Sequence, residues 1–135
     1  MPSAAALLIA VLLAATPISA DQTGAVWLHD DSYVAKGTAH SYVDVQCPRG
    51  QRGWTLTVRL TAVATGRPTA TGSTTTSVTC DGEDRWRQHP IDVRPDAAPF
   101  FAGHDARSEG VAELRDPAGT LVGAVTRRMH FYPWD

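Results

Sequence analysis

Two segments near the middle of the chain alternate regularly between core-type and polar residues. In residues 39–47 the odd-numbered positions are small or apolar, and the even-numbered positions run His, Tyr, Asp and Gln. In residues 54–62 the phase is opposite, with Trp, Leu, Val, Leu and Ala at even positions and Thr or Arg between them. A period of two is typical of a β-strand with one face in the core and one in solvent. The pattern therefore predicts two antiparallel strands.

Shorter runs on either side predict further strands, separated by turn-forming residues such as Pro48–Gly53. Residues 65–76, rich in Thr, Gly and Ser, fit a long connection or a poorly ordered edge strand. A loop over 95–103 is expected to place at least one of Phe100 and Phe101 in the core. The other predicted strands are 25–29 at a sheet edge, 77–80, 85–89, 106–114 and 121–131. The strand over 85–89 is expected to end before Pro90, and a short extended piece follows at 91–93.

The number and spacing of these strands predict the fold class. Seven or eight short strands, with turn signals about every 8 to 12 residues and no amphipathic helix, are typical of an all-β antiparallel sandwich. One position in the last predicted strand breaks its pattern, because Arg127 falls on the face that also carries Met129 and Phe131. We expect Arg127 to lie near a strand end or at a slip in register.

The first twenty residues differ from the rest of the chain. They contain no Lys, Arg, Asp or Glu, and residues 4–15 form a nearly continuous apolar run. That run is too short to span a bilayer as a helix, which disfavours the alternative of a retained membrane anchor. Pro17 and small residues follow it, as expected before a cleavage site. The sequence predicts a signal peptide over 1–20 and a secreted, extracellular single domain over 21–135, without stable membrane insertion after cleavage.

Charge and composition narrow the partners and the source. The formal net charge is −2 at pH 7, and no basic run exceeds Arg127-Arg128, so a nucleic-acid partner is excluded. Asn is absent and Lys36 is the only lysine beside many arginines, a bias found in GC-rich bacterial genomes. We therefore expect a bacterial protein.

The sequence contains two cysteines, Cys47 and Cys80. In an exported chain this number predicts one disulfide, because a zinc site needs more ligands at tighter spacing. The competing interpretation is two free buried thiols. They would need a reducing compartment, which the predicted signal peptide contradicts. Closing a loop of this size is worth about 3 to 4 kcal/mol in the chain-entropy model.

Three motifs resemble a known family. They are Val45–Gly50 (Val-Gln-Cys-Pro-x-Gly), Val78–Gly82 followed by Trp86 (Cys-Asp-Gly-x-x-x-Trp), and Phe101–Gly103 (Phe-Ala-Gly). Together they resemble a family of small exported actinobacterial domains of unknown function. The resemblance implies an Ig-like sandwich with a structural disulfide and implies no catalytic residues. This chain departs from the pattern of that family at Gly110, because the family usually has a larger core residue at this position.

No catalytic, cofactor-binding or metal-binding constellation stands out. A Gly-x-Ser-x-Gly nucleophile motif is absent from the sequence. The nearest approach to a metal site is a pair of loops carrying His29 with Asp31 and His104 with Asp105, which could bind zinc or calcium if the loops met. Residues of these types in loops are mostly solvated turn residues. We therefore predict no metal ligands.

A pair of acidic residues, Glu109 and Glu113, shares one face of a predicted strand. Their spacing along an extended chain is roughly 13 Å, which exceeds the separation of the two carboxylates in an inverting glycosidase. Arg107 and Arg115 share the same face through the same alternation. The four residues are better explained as a solvated, charge-balanced surface.

The four tryptophans receive separate interpretations. Trp54 and Trp86 flank the predicted disulfide and are expected in the core, because large aromatic residues dominate small sandwiches. The position of Trp27 is left open. Trp134, with Tyr132, lies in an aromatic C-terminal segment that either packs against the end of the core or offers a contact surface.

The combined expectation is a non-catalytic binding or structural module, with an unidentified protein or glycan as ligand and no cofactor. An alternative is a secreted protease inhibitor that uses residues 65–76 as its exposed loop. A metal-dependent hydrolase, motivated only by the two His-Asp loops, is a weaker alternative.

Overall fold

The computed structural model describes residues 23–103 and 105–134, which form two β-sheets packed as a sandwich. The predicted all-β sandwich fold is confirmed. The predicted signal peptide, 1–20, lies outside the described residues. No helix among the described residues is long and apolar enough to cross a membrane. The strands are β1 (Ala25–Leu28), β2 (Asp31–Ala35), β3 (Thr38–Cys47), β4 (Thr55–Ala62), β5 (Ala70–Ser77), β6 (Gly82–Val93), β7 (Glu109–Arg115), β8 (Leu121–Arg128) and β9 (His130–Pro133).

Sheet A is built around β3. β6 pairs antiparallel along one side of β3, and β1 and β2 follow one another along its other side. β9 then pairs with β2 in parallel, so the predicted antiparallel arrangement holds for every described strand pair except this one. Sheet B is antiparallel throughout, in the order β5-β4-β7-β8.

The two strongest alternating patterns form the core as predicted. Every second residue of β3 is buried, and the same is true of β4 in the opposite phase. Trp54, just before β4, is fully buried, and its indole N–H donates to Gln51 Oε1 at 2.8 Å. Phe100 and Phe101 are both buried, which confirms the expectation for that loop.

The predicted last strand, 121–131, is two strands in different sheets. β8 belongs to sheet B and β9 to sheet A, and the fully buried Met129 lies between them. The Met129 N–H donates to the carbonyl of Ser108 at 3.0 Å, which holds the chain at the crossing. The described part of the chain contains nine strands, among them β2, which the sequence pattern does not predict.

Of the two alternatives for residues 65–76, the edge strand is correct for most of the segment. β5 lies at the edge of sheet B and pairs with β4 residue for residue from Ala70 to Ser77. Only 65–69 of the segment suggested for a protease-inhibiting loop therefore lies outside a strand. The open side of β5 is covered, because the Asp96 N–H donates to the Thr71 carbonyl at 2.7 Å. The Thr74 hydroxyl likewise donates to the Asp92 carbonyl at 2.8 Å.

The segment around the second cysteine also differs from expectation. Residues 78–81 lie outside any strand, whereas β6 continues through Pro90 to Val93. Pro90 is tolerated because β6 is an edge strand of sheet A and needs no donor on its free side. The β3–β6 register steps from Val45↔Arg87 to Cys47↔Gly82, which leaves residues 83–86 of β6 without partners on β3.

Trp86 lies in that unpaired stretch and is half exposed, so its predicted core position is wrong. The predicted disulfide between Cys47 and Cys80 is present, with both residues buried. It joins the end of β3 to the segment that leads into β6, next to the register step.

Candidate functional site

The two His-Asp loops do not form a cluster in the described part of the chain. His29 Nε2 pairs with Asp44 Oδ2 at 3.0 Å, while Asp105 accepts hydrogen bonds from the backbone and side chain of Arg107. His104 lies outside the described residues. Within residues 23–103 and 105–134 no three His, Cys, Asp or Glu side chains are grouped as metal ligands.

The paired glutamates lie on the outer surface of sheet B. Glu113 Oε1 accepts from Arg59 Nη2 at 2.8 Å, and Arg115 Nη1 lies 3.8 Å from the same oxygen. Arg59 was missed because it belongs to a different strand, and the β4–β7 register brings it beside β7. Glu113 is therefore part of a charge-balanced surface with Arg59 and Arg115, as predicted for Arg115. Arg107 instead pairs with Asp105.

Aromatic side chains gather instead on the outer face of sheet A, where β2, β3 and β9 meet. The register places Tyr33 opposite His40 on one side and Tyr132 on the other. The Tyr33 ring centroid lies 6.0 Å from that of Tyr132 and 5.9 Å from that of Trp134. The His40 and Trp134 centroids are 5.1 Å apart. We call these four residues, together with Tyr42 on β3, the aromatic face.

The aromatic face surrounds a surface concavity of about 520 Å³. Tyr33, Tyr42, Pro133 and Trp134 line it. The rings of Tyr33 and Trp134 meet edge to face at 86°, so they do not form one flat platform. Because three of the four lining residues are aromatic, the concavity presents ring surface to any molecule that enters it.

Backbone pairing holds the C-terminal wall of the concavity in place. The Trp134 N–H donates to the Val34 carbonyl at 3.0 Å and extends the parallel pairing of β9 with β2. The Trp134 side chain remains 51% exposed, although it contacts two rings. The backbone of this segment thus pairs with the sheet, whereas the Trp134 indole stays half exposed.

Carboxylates accompany the aromatic rings on this face. His40 Nδ1 pairs with Asp92 Oδ1 at 2.6 Å, and the Asp92 side chain is 68% exposed. By strand alternation, Asp31 and Asp44 also occupy outward positions. No Lys or Arg occupies an outward position in β2, β3, β9 or residues 88–92 of β6.

The positions of Trp27 and Arg127, which the sequence left open, are accounted for by their contact with each other. The Arg127 guanidinium lies 4.3 Å from the centroid of the Trp27 ring, and its Nη1 donates to the Leu28 carbonyl at 2.9 Å. Its Nη2 lies 3.6 Å from Asp30 Oδ2. Arg127 thus ties the end of β8 to β1 at the point where the chain leaves sheet B.

One histidine has a clearly altered acidity. His89 Nε2 accepts from the backbone N–H of Thr79 at 3.1 Å, and its Nδ1 donates to the Arg87 carbonyl at 3.1 Å. Burial lowers the pKa of His89 below its usual value of 6.5, and the nearby Arg87 charge acts in the same direction. The hydrogen bond to the Arg87 carbonyl and the carboxylates of Asp81 and Asp44 oppose this shift.

Sequence reasoning identified two members of the aromatic face, Tyr132 and Trp134, and missed three. Tyr33 was missed because β2 was not predicted. His40 and Tyr42 lie at the solvent-facing positions of a correctly predicted strand, so an aromatic and an imidazole ring two residues apart on that face were the available signal. Their proximity to the C-terminal segment depends on the parallel β2–β9 pairing, for which the sequence holds no local signal.

Two solved structures that align with this chain do so at low similarity. The sporulation control protein Spo0M from Bacillus subtilis aligns with a TM-score of 0.39 and 14% identity, over 82% of this chain and 49% of that one. β-Glucosidase from Kluyveromyces marxianus in complex with glucose aligns with a TM-score of 0.38 and 10% identity, over 82% of this chain and 14% of that one. The present chain spans less than half the length of either protein. No protein-family model and no curated protein matches the sequence.

Proposed function

We propose that this chain is an exported, non-catalytic binding module that holds its ligand on the aromatic face. The observation that carries the proposal is the concavity between Tyr33, Tyr42 and Trp134, in which ring surface stays open to solvent. Ligand sites are commonly concave, lined by aromatic side chains and furnished with a few polar groups. His40 and its partner Asp92 supply such groups beside Trp134.

Folding alone gives little reason for this arrangement. Tyr132 and Trp134 are 40% and 51% exposed, and both rings contact Tyr33 instead of being scattered singly over the surface. Single exposed apolar residues are ordinary, whereas contiguous exposed apolar patches mark interaction sites. The proposal therefore assigns the aromatic face to binding and the buried alternating positions to folding.

Two features support export as the setting. The disulfide between Cys47 and Cys80 is of the kind that persists in oxidising compartments. The uncharged, apolar segment 1–20 has the composition of a signal peptide. In such a setting the ligand classes to test are soluble glycans, peptides and small organic molecules.

A ligand panel with matched tryptophan variants tests the function. The oxidised chain over 21–135 is titrated with soluble glycans, peptides and small metabolites, and the indole N–H signals are followed by NMR. Trp134→Ala is expected to weaken binding of any true ligand by about tenfold or more, because ring contacts at interfaces carry much of the binding free energy.

Trp86→Ala is the matched control. Trp86 is 50% exposed, nearly the same as Trp134, but it lies in the unpaired stretch of β6 and outside the aromatic face. Binding should therefore be unchanged in Trp86→Ala. A ligand whose affinity depends on Trp86 and not on Trp134, or a panel without any ligand, would contradict the proposal.

A further inference from the structure

The aromatic face combines ring surface with negative charge. Asp31, Asp44 and Asp92 occupy outward positions of sheet A, and the outward positions of β2, β3, β9 and residues 88–92 of β6 hold no Lys or Arg. The Arg127 guanidinium lies over Trp27 on the edge strand β1, beside Asp44. A neutral sugar requires no such charge asymmetry, and an anionic ligand would be repelled by it. The ligand that complements both properties is a cation with an apolar surface.

The lining of the concavity has the composition of an aromatic cage. The faces of Trp and Tyr rings attract cations within about 6 Å of the ring centroid, and cages of two or more such rings recognise quaternary ammonium groups. Here Tyr33, Tyr42 and Trp134 line a single concavity, and two of the rings stand at 86° to one another. A compact, roughly spherical group in the concavity can therefore contact more than one ring.

One carboxylate lies a single side chain away from this cage. Asp92 is bound to His40, whose ring centroid is 5.1 Å from that of Trp134. At this range a carboxylate still attracts a bound cation, since the Debye length is about 8 Å at physiological ionic strength. Asp92 does not line the cage, so a cation bound there forms no direct ion pair with it. A lysine-type ammonium is strongly hydrated and would need such a pair, whereas a quaternary ammonium group would not.

We propose that the aromatic face binds a free small molecule that carries a quaternary ammonium group. The inference rests on the proposed binding function and names its ligand class. Three rings supply the cation–π contacts, Pro133 supplies apolar packing for the methyl groups, and Asp92 supplies long-range charge. The concavity of about 520 Å³ is wide open to solvent, so it has room for one such group and contacts it from one side without enclosing it.

Choline and its neutral isostere 3,3-dimethylbutan-1-ol provide the decisive comparison. The two molecules share shape and hydroxyl group and differ in the charge of the central atom. Choline is expected to shift the Trp134 indole N–H signal in an NMR titration of the oxidised chain. The isostere should bind at least about tenfold more weakly, because the cation–π contribution is absent. Equal affinities would overturn the inference.

Charge variants refine the test. Asp92→Asn keeps an oxygen that can accept from His40 and removes only the negative charge, so choline affinity should fall several-fold at low salt. Asp84→Asn removes the same charge from the unpaired stretch of β6 and should leave the affinity unchanged. Equal effects of the two substitutions would mean that net charge, not the aromatic face, attracts choline.

The tryptophan variants separate the two proposals. Choline binding lost in Trp134→Ala and kept in Trp86→Ala supports both. A glycan or peptide that needs Trp134, together with no choline binding, overturns the cation inference and leaves the binding function intact. If choline and every member of the ligand panel fail to bind, both proposals fall.

Discussion

At the scale of single residues, Gly110 shows how closely the two sheets approach. A Cβ atom added there would lie 2.7 Å from Leu28 Cδ2 and 2.8 Å from Met129 Sδ. The sequence alone made this glycine look like a departure from a core pattern. The structure shows that β1 and the β8–β9 crossing already fill the space that a larger residue would occupy.

The substitution Gly110→Ala is therefore expected to destabilise the protein. Overpacking a close-packed core typically costs about 1 to 3 kcal/mol, and the measurement is the free energy of unfolding in urea. Gly123→Ala is the control on the neighbouring strand, where the nearest atom to an added Cβ, Val26 Cγ1, is at an ordinary 3.5 Å. Gly123→Ala should be neutral or slightly stabilising. Equal losses in both variants would contradict the packing explanation.

His89 makes the stability of the fold depend on pH. In the folded state the neutral ring accepts from Thr79 and donates to the Arg87 carbonyl, so protonation removes the acceptor that Thr79 uses. Because burial lowers the folded-state pKa below 6.5, the unfolded chain takes up the proton at higher pH. The stabilisation is complete above the unfolded pKa and is lost as the pH falls through the folded one.

The substitution His89→Gln isolates this effect. The glutamine carbonyl can accept from Thr79 at every pH, so the free energy of unfolding of this variant should decline less than that of the original chain between about pH 7.5 and pH 5. Urea titrations at a series of pH values measure both curves. Parallel curves would show that His89 does not titrate on unfolding.

At the scale of elements, predictability follows the regularity of burial. β3 and β4 are buried on one face along their whole length, so the period of two is visible in the sequence and both were predicted. β5 pairs just as regularly, but its solvent-facing residues are Thr and Ser, and the glycine at position 72 is typical of a loop. That glycine is required by contact, because a Cβ there would lie 2.1 Å from the Arg94 carbonyl oxygen.

The division of the last predicted strand into β8 and β9 was not predictable from alternation. The alternating pattern continues through Met129, and only Arg127 signalled a break. Its guanidinium is accommodated by Trp27, Asp30 and the Leu28 carbonyl, all contributed by the start of the domain. Partners this distant in sequence leave no local signal, and the same holds for the β2–β9 pairing that assembles the aromatic face.

At the scale of the whole molecule, the disulfide and the ligand site occupy different regions. Cys47 and Cys80 join the end of β3 to the approach of β6, whereas the aromatic face lies where β2, β3 and β9 meet. Cross-link and binding surface share β3 but have no residue in common. Stability and ligand affinity should therefore respond to separate substitutions.

Replacing both cysteines by alanine tests this separation. The variant should lose about 3 to 4 kcal/mol of unfolding free energy, and under conditions where it remains folded it should keep the ligand affinity of the original chain. Urea unfolding and the choline titration measure the two quantities. A variant that kept its stability and lost only binding would place the disulfide in the site and contradict the division.

The parallel pairing of β9 with β2 also bears on the order in which the strand pairs form during folding. It brings together residues roughly a hundred positions apart, and contacts of long sequence separation are slow to form because chain closure must precede them. The β2–β3, β4–β5 and β7–β8 pairings use much nearer partners. We expect the concavity to be assembled late in folding, so that a chain able to hold its ligand is one that has already completed its fold.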